Sequence, residues 1–385
     1  MFVLLNTSKK EDTMAKLGQI AREFTHSFPA MKGVQAGREY YVAMFPLKLL
    51  PTFFKQENDD LPPALRAQRA LNKARVRPLS NYITKNSKNY IFSSLTASVN
   101  GKVEFEKFNE DAIGQRLGTL HVPMDAKFLI NDGQHRRAAI EDALEKVPEI
   151  ANETISIVLF VDEGLKKSQQ MFADLNRYAI RPTKSLGILY DHRDPMSRLT
   201  NRLTKKVIIF KGMTETARST ISNRSRKLFT LSSIYQATKR LLHKKDGEGV
   251  SKEEESFAEE FWNETAKNMP DWLDAVARKV NTSELRQDYI HSHGVALQAL
   301  AITGSSLIAT YPQKWQQKLG KLQKINWRRD NADLWEGRAL TGGRLSRAEN
   351  NVLLTSNVIK ATIGLSLDPK ETQVEELYAK GKNHK

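Results

Sequence analysis

The chain of 385 residues contains no cysteine. That one absence excludes disulfides, thiolate zinc sites, iron–sulfur ligation and cysteine nucleophiles. Histidine is scarce as well, with eight residues of which only His291 and His293 form a tight pair. A His-x-His pair without a supporting carboxylate cluster is a poor metal ligand set, so no metal site is expected. No apolar run approaches 18 residues, and no transmembrane helix is expected. The first ten residues carry a short apolar patch but neither a basic start nor a small-residue cleavage site. A signal peptide is therefore not expected, and the cytoplasm is the expected location. Walker-type loops, internal repeats and low-complexity tracts are also missing from the pattern.

Acid is in short supply. Lys and Arg number 60 against 44 Asp and Glu, a formal net charge of +16. An excess of this size argues for a polyanionic partner, with nucleic acid the first candidate. A membrane surface would call for a basic amphipathic helix with bulky apolar residues, and none is evident. With 40% hydrophobic residues, the chain is long enough for two or three domains with a full core.

The excess is concentrated. Between Arg202 and Lys245 stand twelve Lys or Arg against one acid, Glu215. Ser, Thr and Asn are interleaved from Ser219 to Lys227, the usual equipment for phosphate-backbone contacts. Lys205, Lys206, Arg218, Arg224, Arg226, Lys227, Lys239 and Arg240 are the candidate DNA contacts. A disordered basic linker is the alternative, but Leu228-Phe229, Leu231, Ile234-Tyr235, Ala237 and Leu241-Leu242 recur at helical spacing. Two smaller basic features join the list. Arg66, Arg69, Lys73 and Arg77 share one face of a helix expected to open at Pro62-Pro63 and run to about Val76; the face serves phosphates or solvent equally well. Arg344 lies in a basic glycine loop between Arg338 and Arg347.

The chain is organised around Phe128-Leu129-Ile130-Asn131-Asp132-Gly133-Gln134-His135-Arg136-Arg137. A strand over 126–131 leads into an Asp-Gly turn, and Ala138, Ala139, Ile140, Ala143, Leu144 and Val147 then repeat with helical period. A strand-to-helix turn exposes first-turn N–H groups that favour an anion. Gly133, Gln134, Arg136 and Arg137, with Asn176 and Arg177, are the candidate phosphate binders. The bland alternative has Asp132 merely capping the helix, with both arginines solvated. Two cations in a first turn oppose the helix dipole, however, and an anion would compensate them.

Elsewhere the pattern gives a short helix over Ala15–Phe24 and a strand over Arg38–Phe45 stopped by Pro46. A hairpin is expected with Asn100-Gly101 between Leu95–Val99 and Lys102–Phe105. A short helix over 110–118, a buried strand over Ile155–Val161 and a helix over Gly164–Arg177 follow. Beyond residue 190 the chain turns helical. Ser251 and Glu254 form a capping-box signature. All five tryptophans follow the break at Asp246–Gly249 and read as core rather than as base-stacking platforms. A last helix runs from Ala348 to about Ile363, ended by Gly364, with a frayed tail after Lys370. The expected class is α+β (mixed α/β), with an N-terminal extension over 1–79, a core over 80–195, a basic helical segment over 196–246 and a Trp-rich helical domain over 247–385.

The Asp132–Arg136 pentapeptide resembles the signature of the DGQHR-domain family, and within it the DndB group of DNA sulfur modification proteins. Phe28-Pro29-Ala30, the stretch Gly33 to Tyr41, Arg66 to Arg75 and the Asn176 region carry the same resemblance, which covers the first 190 residues well and the rest loosely. It implies a ParB/sulfiredoxin-like core whose turn cradles phosphate. It also implies a role in DNA phosphorothioation as a transcriptional repressor that binds double-stranded DNA at the promoter of its own operon. A palindromic promoter would call for a homodimer. The sulfur-handling enzymes of such systems use cysteine and iron–sulfur chemistry, which this chain lacks.

A second hypothesis makes the turn an active site for nucleotide hydrolysis or strand nicking. Gln134 would orient water, His135 would act as general acid or base, and Arg136 would stabilise charge. Asp132 would hold a metal ion or orient the histidine, and the cofactor would be a nucleotide with Mg²⁺, for which no second acidic cluster is evident. A third makes the chain an adaptor docking on other phosphorothioation proteins.

Overall fold

The computed structural model describes residues 25–54, 72–161, 170–171, 174–175 and 182–382. The expected helix over Ala15–Phe24, most of that over Gly164–Arg177, and Arg66, Arg69, Asn176 and Arg177 lie outside the described residues. The fold is mixed α+β, in two compact units, Met1–Ile180 and Arg181–Lys385.

Strands β1 (Thr25–Gln35) and β2 (Arg38–Pro46) form a hairpin across Ala36-Gly37, both at positive φ, which matches the twist of the strands. Joined by β3 (Leu95–Asn100), β4 (Glu104–Lys107), β5 (Leu117–Pro123), β6 (Lys127–Asp132) and β7 (Thr154–Val161), they make one sheet in the order β4-β5-β1-β2-β7-β3-β6. All neighbours are antiparallel except β3 and β7. Helices α1 (Lys73–Lys85) and α2 (Gln134–Lys146) bury Ile83, Ala139, Ile140 and Ala143 in one core with Phe28, Phe45, Phe53 and Phe128. Phe28 stacks on Phe45 at 3.9 Å, and Phe53 meets Phe128 edge-on at 5.2 Å, the edge geometry that aromatic quadrupoles favour.

Three expectations are corrected in this unit. The Asn100-Gly101 hairpin does not form: β3 pairs with β6 and β7, while β4 pairs with β5. β3 is buried along almost its whole length and needs a strand on each side, whereas β4 is mostly exposed and suits an edge. Residues 110–118 are not a helix. Asp111 Oδ1 accepts from the amides of Ile113 and Gly114, closing a turn that feeds β5. Finally, the helix expected from Pro62 to about Val76 is found instead from Lys73 to Lys85, so among the described residues only Lys73 and Arg77 of the expected basic face lie on it. Asn72 caps it by accepting from the Ala74 amide, and Pro78 is accommodated within it.

The second unit is helical. Its elements are α3 (Lys184–Tyr190), α4 (Pro195–Lys206), α5 (Leu231–Leu241), α6 (Lys252–Lys267), α7 (Pro270–Val276), α8 (Thr282–Asp288), α9 (Gly294–Thr310), α10 (Trp315–Leu319), α11 (Glu349–Ile363) and α12 (Pro369–Lys382). Helix α9 is buried on nearly every side between α5 and α11, as a helix apolar all round must be. A Cβ at Gly304 would lie 2.2 Å from Cε2 of Phe261 on α6, so only glycine lets α9 approach that helix so closely. The five tryptophans are all buried, in one core cluster with Met196 to Leu241 of the basic segment. The capping box at Ser251 and Glu254 forms with both of its hydrogen bonds. The expected frayed tail is corrected: α12 docks on α11 through a fully buried Lys360–Glu371 pair and an Asn357–Glu375 hydrogen bond, and Arg338, from the segment before α11, adds a bidentate contact to Glu375. No helix among the described residues is long and apolar enough to cross a membrane.

Candidate nucleic-acid interface

β6, the turn and α2 form where the sequence pattern puts them. The strand ends in a β-bulge: Thr96 faces Asp132 and Ala97 faces Ile130, so Asn131 is the extra residue. Asn131 is buried, and its Nδ2 donates to Ser98 Oγ at 2.7 Å. Gly133 follows at φ 103, with Leu95 Cδ2 only 2.4 Å from where a Cβ would stand. This glycine, rather than Asp132, is the N-cap of α2, and the first turn receives no side-chain cap.

The charged residues of the turn have protein partners. Arg136 Nη2 donates to Asp132 Oδ2 at 2.5 Å, while Nη1 donates to the carbonyls of Ser93 and Ser94, both at 2.7 Å. The guanidinium thus staples the turn to the entry of β3. Arg137 is buried, donates to the Phe54 carbonyl and pairs with Glu141. His135 Nε2 accepts the Asn72 amide at 3.2 Å, which fixes the proton on Nδ1. Partial burial and the nearby Arg75 charge hold its pKa below the ordinary histidine value. The amino end of α1 is thereby docked beside that of α2, bringing two positive dipole ends and Arg75 to one place. Gln134 is half-buried there, and Lys73 and Arg77 are exposed on α1. Among the described residues no group of three or more His, Asp or Glu is arranged to hold a metal ion.

In the second unit the basic segment resolves into paired and unpaired cations. Lys239 pairs with Asp246, and Arg240 with both oxygens of Glu349 and with Gln298. Arg202 pairs with Glu255 and Lys244 with Glu254. Lys205 and Lys206 are exposed at the end of α4. Arg218, Arg224 and Arg226 are exposed on the loop between β8 (Thr214–Glu215) and β9 (Phe229–Thr230), and none of the three guanidiniums has a carboxylate partner among the described residues, although Glu215 Oε1 at the start of the loop accepts from the amides of Ala217 and Arg218 at 2.9 and 3.1 Å. Lys227 is half-buried and donates to the Gly212 carbonyl at 2.8 Å. Arg344 is exposed on a two-stranded hairpin, β10 (Leu340–Thr341) and β11 (Arg344–Leu345), turned by Gly342 and Gly343 at positive φ.

The loop is not a free linker. β8 and β9 pair in parallel at its neck, and the amides of Leu228 and Phe229 both reach the Met213 carbonyl. Beneath it, the buried Arg286 of α8 donates to the carbonyls of Ser222, Asn223, Ser225 and Lys227. Thr282 Oγ1 adds a bond to the Ser225 carbonyl at 3.2 Å. The chain around α8 is tied in turn by His293 Nε2, which donates to the Arg286 carbonyl at 2.7 Å.

The His291–His293 pair is structural. Trp272 Nε1 donates to His291 Nδ1 at 3.1 Å, leaving the Nε2 proton for Asp271 at 3.0 Å. Sequence reading misses Asn72, Ser93, Ser94, Asn131 and Arg286. Each acts through a partner distant in the chain, and only Asn72, a cap-type residue ahead of a helix, carries a local signal.

The two units describe a mixed α+β protein whose helical half carries a basic loop with its backbone held by Arg286. The family model for DndB, described as DNA-sulfur modification-associated, matches residues 28–366, so the likeness runs well into the helical unit rather than fading after residue 190. Among curated proteins and solved structures there is no match. The chain belongs to the DndB family, and that membership implies involvement in DNA sulfur modification.

Proposed function

We propose that the chain is a DNA-binding regulator of a phosphorothioate modification system, a repressor gripping double-stranded DNA at the promoter of its own operon. The observation that carries the reading is the β8–β9 loop, where Arg218, Arg224 and Arg226 are exposed and unpaired on a backbone held from below. Uncompensated arginines on a rigid loop repel one another in the free protein and are relieved by a polyanion. Ser219, Thr220, Ser222 and Asn223, exposed among them, are the short polar side chains that phosphate backbones accept. Lys205, Lys206 and Arg344 are further exposed cations of this unit. Lys239 and Arg240 contribute less, because their charge is neutralised by Asp246 and Glu349.

The alternative, hydrolysis or nicking at the Asp132–Arg136 turn, has less support. Arg136 is engaged by Asp132, Ser93 and Ser94, and the Nε2 of His135 is occupied by the Asn72 amide. The deciding experiment titrates labelled promoter duplex with wild type, with the triple variant Arg218→Ala/Arg224→Ala/Arg226→Ala, and with Asp132→Ala/His135→Ala. ATP, CTP and Mg²⁺ are added in parallel tubes whose products are analysed. Loss of binding in the triple variant alone, with no cleavage, upholds the regulator. Phosphate release or nicked DNA with wild type but not with the turn variant identifies an enzyme.

A further inference from the structure

We propose that Arg286 is the positioning residue of a pre-formed clamp for the DNA phosphate backbone, an inference that rests on the DNA-binding reading above. The loop from Thr216 to Lys227 holds four cations and no acid of its own. Left to itself, such a segment stays open and solvated. Here one guanidinium gathers four of its carbonyls: Ser222 and Ser225 at 3.0 Å, Asn223 at 3.3 Å, and Lys227. Drawing these carbonyls inward leaves the outer surface to Arg224, Arg226 and the short polar side chains.

Arginine is needed for this task. Its planar fork offers five donors in fixed directions, enough for four acceptors, whereas a lysine ammonium offers three around one point. The guanidinium is buried without a carboxylate partner among the described residues, so the carbonyl dipoles alone offset its desolvation. The arrangement also adds a positive charge against the backbone of the loop that carries the exposed arginines. Glu215 already closes the start of the loop through the Ala217 and Arg218 amides, and a second carboxylate in the place of Arg286 would lower the potential the loop presents further. Because the loop is ordered before DNA arrives, its ordering entropy does not have to be met on binding.

The test uses the full chain with Arg286→Lys, and with Thr282→Val as a milder variant that removes only the bond to the Ser225 carbonyl. Three quantities are read: amide hydrogen exchange of the 216–227 peptide, affinity for labelled duplex, and the slope of log K against log salt. Arg286→Lys is expected to raise exchange in that peptide and weaken binding about tenfold through the lost pre-organisation. The salt slope should stay at the wild-type value, since the residues that meet phosphate are intact. Thr282→Val should move exchange and affinity the same way by a smaller factor, which keeps the test decisive even if Arg286→Lys unfolds. A merely structural role would loosen the loop without touching affinity. That result, with the Arg218/Arg224/Arg226 triple variant still losing DNA, overturns the inference and leaves the DNA-binding reading standing. A triple variant that binds as well as wild type overturns the DNA-binding reading itself, and the clamp with it.

Discussion

Gly133 decides whether the strand can hand over to α2. Its φ of 103 is costly for any residue with a Cβ, and Leu95 Cδ2 occupies the space that a Cβ would need. Gly133→Ala should therefore lower the stability of the first unit by about 1–3 kcal/mol, read from denaturant unfolding. His293 makes the second residue-level prediction. Burial, with Arg329 and Arg347 near it, pushes its pKa down to about 4, against an ordinary value of 6.5. A histidine whose folded pKa is depressed contributes stability in full above about pH 6.5 and loses it as pH falls toward 4, because the unfolded chain takes up the proton first. Thermal unfolding between pH 7 and 4 should show that fall, on the order of 1–3 kcal/mol. His293→Gln, which keeps a donor for the Arg286 carbonyl, should flatten it. An equally steep fall in the variant would assign the titration elsewhere. The local signal at Gly133 was readable because Asp-Gly before a helical period has few other meanings. Arg286 was not, since its carbonyl partners lie some 59 to 64 residues earlier in the chain.

At the scale of elements, the C-terminal helix α12 is held by buried charge. Lys360 and Glu371 are each only 2% exposed and paired with one another. Removing one partner strands the other, so Lys360→Met should cost about 3–5 kcal/mol, while Lys360→Met with Glu371→Leu should recover most of it. Denaturant unfolding of the two variants checks this, and equal losses would contradict it. Charge-rich composition made this segment read as a tail, because a sequence does not reveal which Lys and Glu meet. The same blindness explains the strands. Asn100-Gly101 is a strong turn signal, yet pairing was decided by the need of β3 for two neighbours, which β6 and β7 supply. β5, with Gly118 and His121 inside it, lacks strand propensity and is made a strand by its neighbours β1 and β4. Helices were more legible: α2, α6 and α11 begin and end close to their caps, since period and cap are both local.

For the molecule as a whole, a net charge of +16 argues for a polyanionic partner, which the proposed function takes to be DNA. The charge did not name the surface. Folding pairs Arg202, Lys239, Arg240 and Lys244 with acids from elsewhere in the unit and leaves the guanidiniums of Arg218, Arg224 and Arg226 on the β8–β9 loop without a carboxylate partner among the described residues. Whether this loop meets DNA phosphates is tested most directly by the affinity of wild type and the Arg218/Arg224/Arg226→Ala variant for promoter duplex across a salt series. A linear fall of log K with log salt is predicted for wild type, with a slope shallower in the variant by about 0.9 for each phosphate contact removed. Binding that ignores salt, or one slope shared by both proteins, would contradict it.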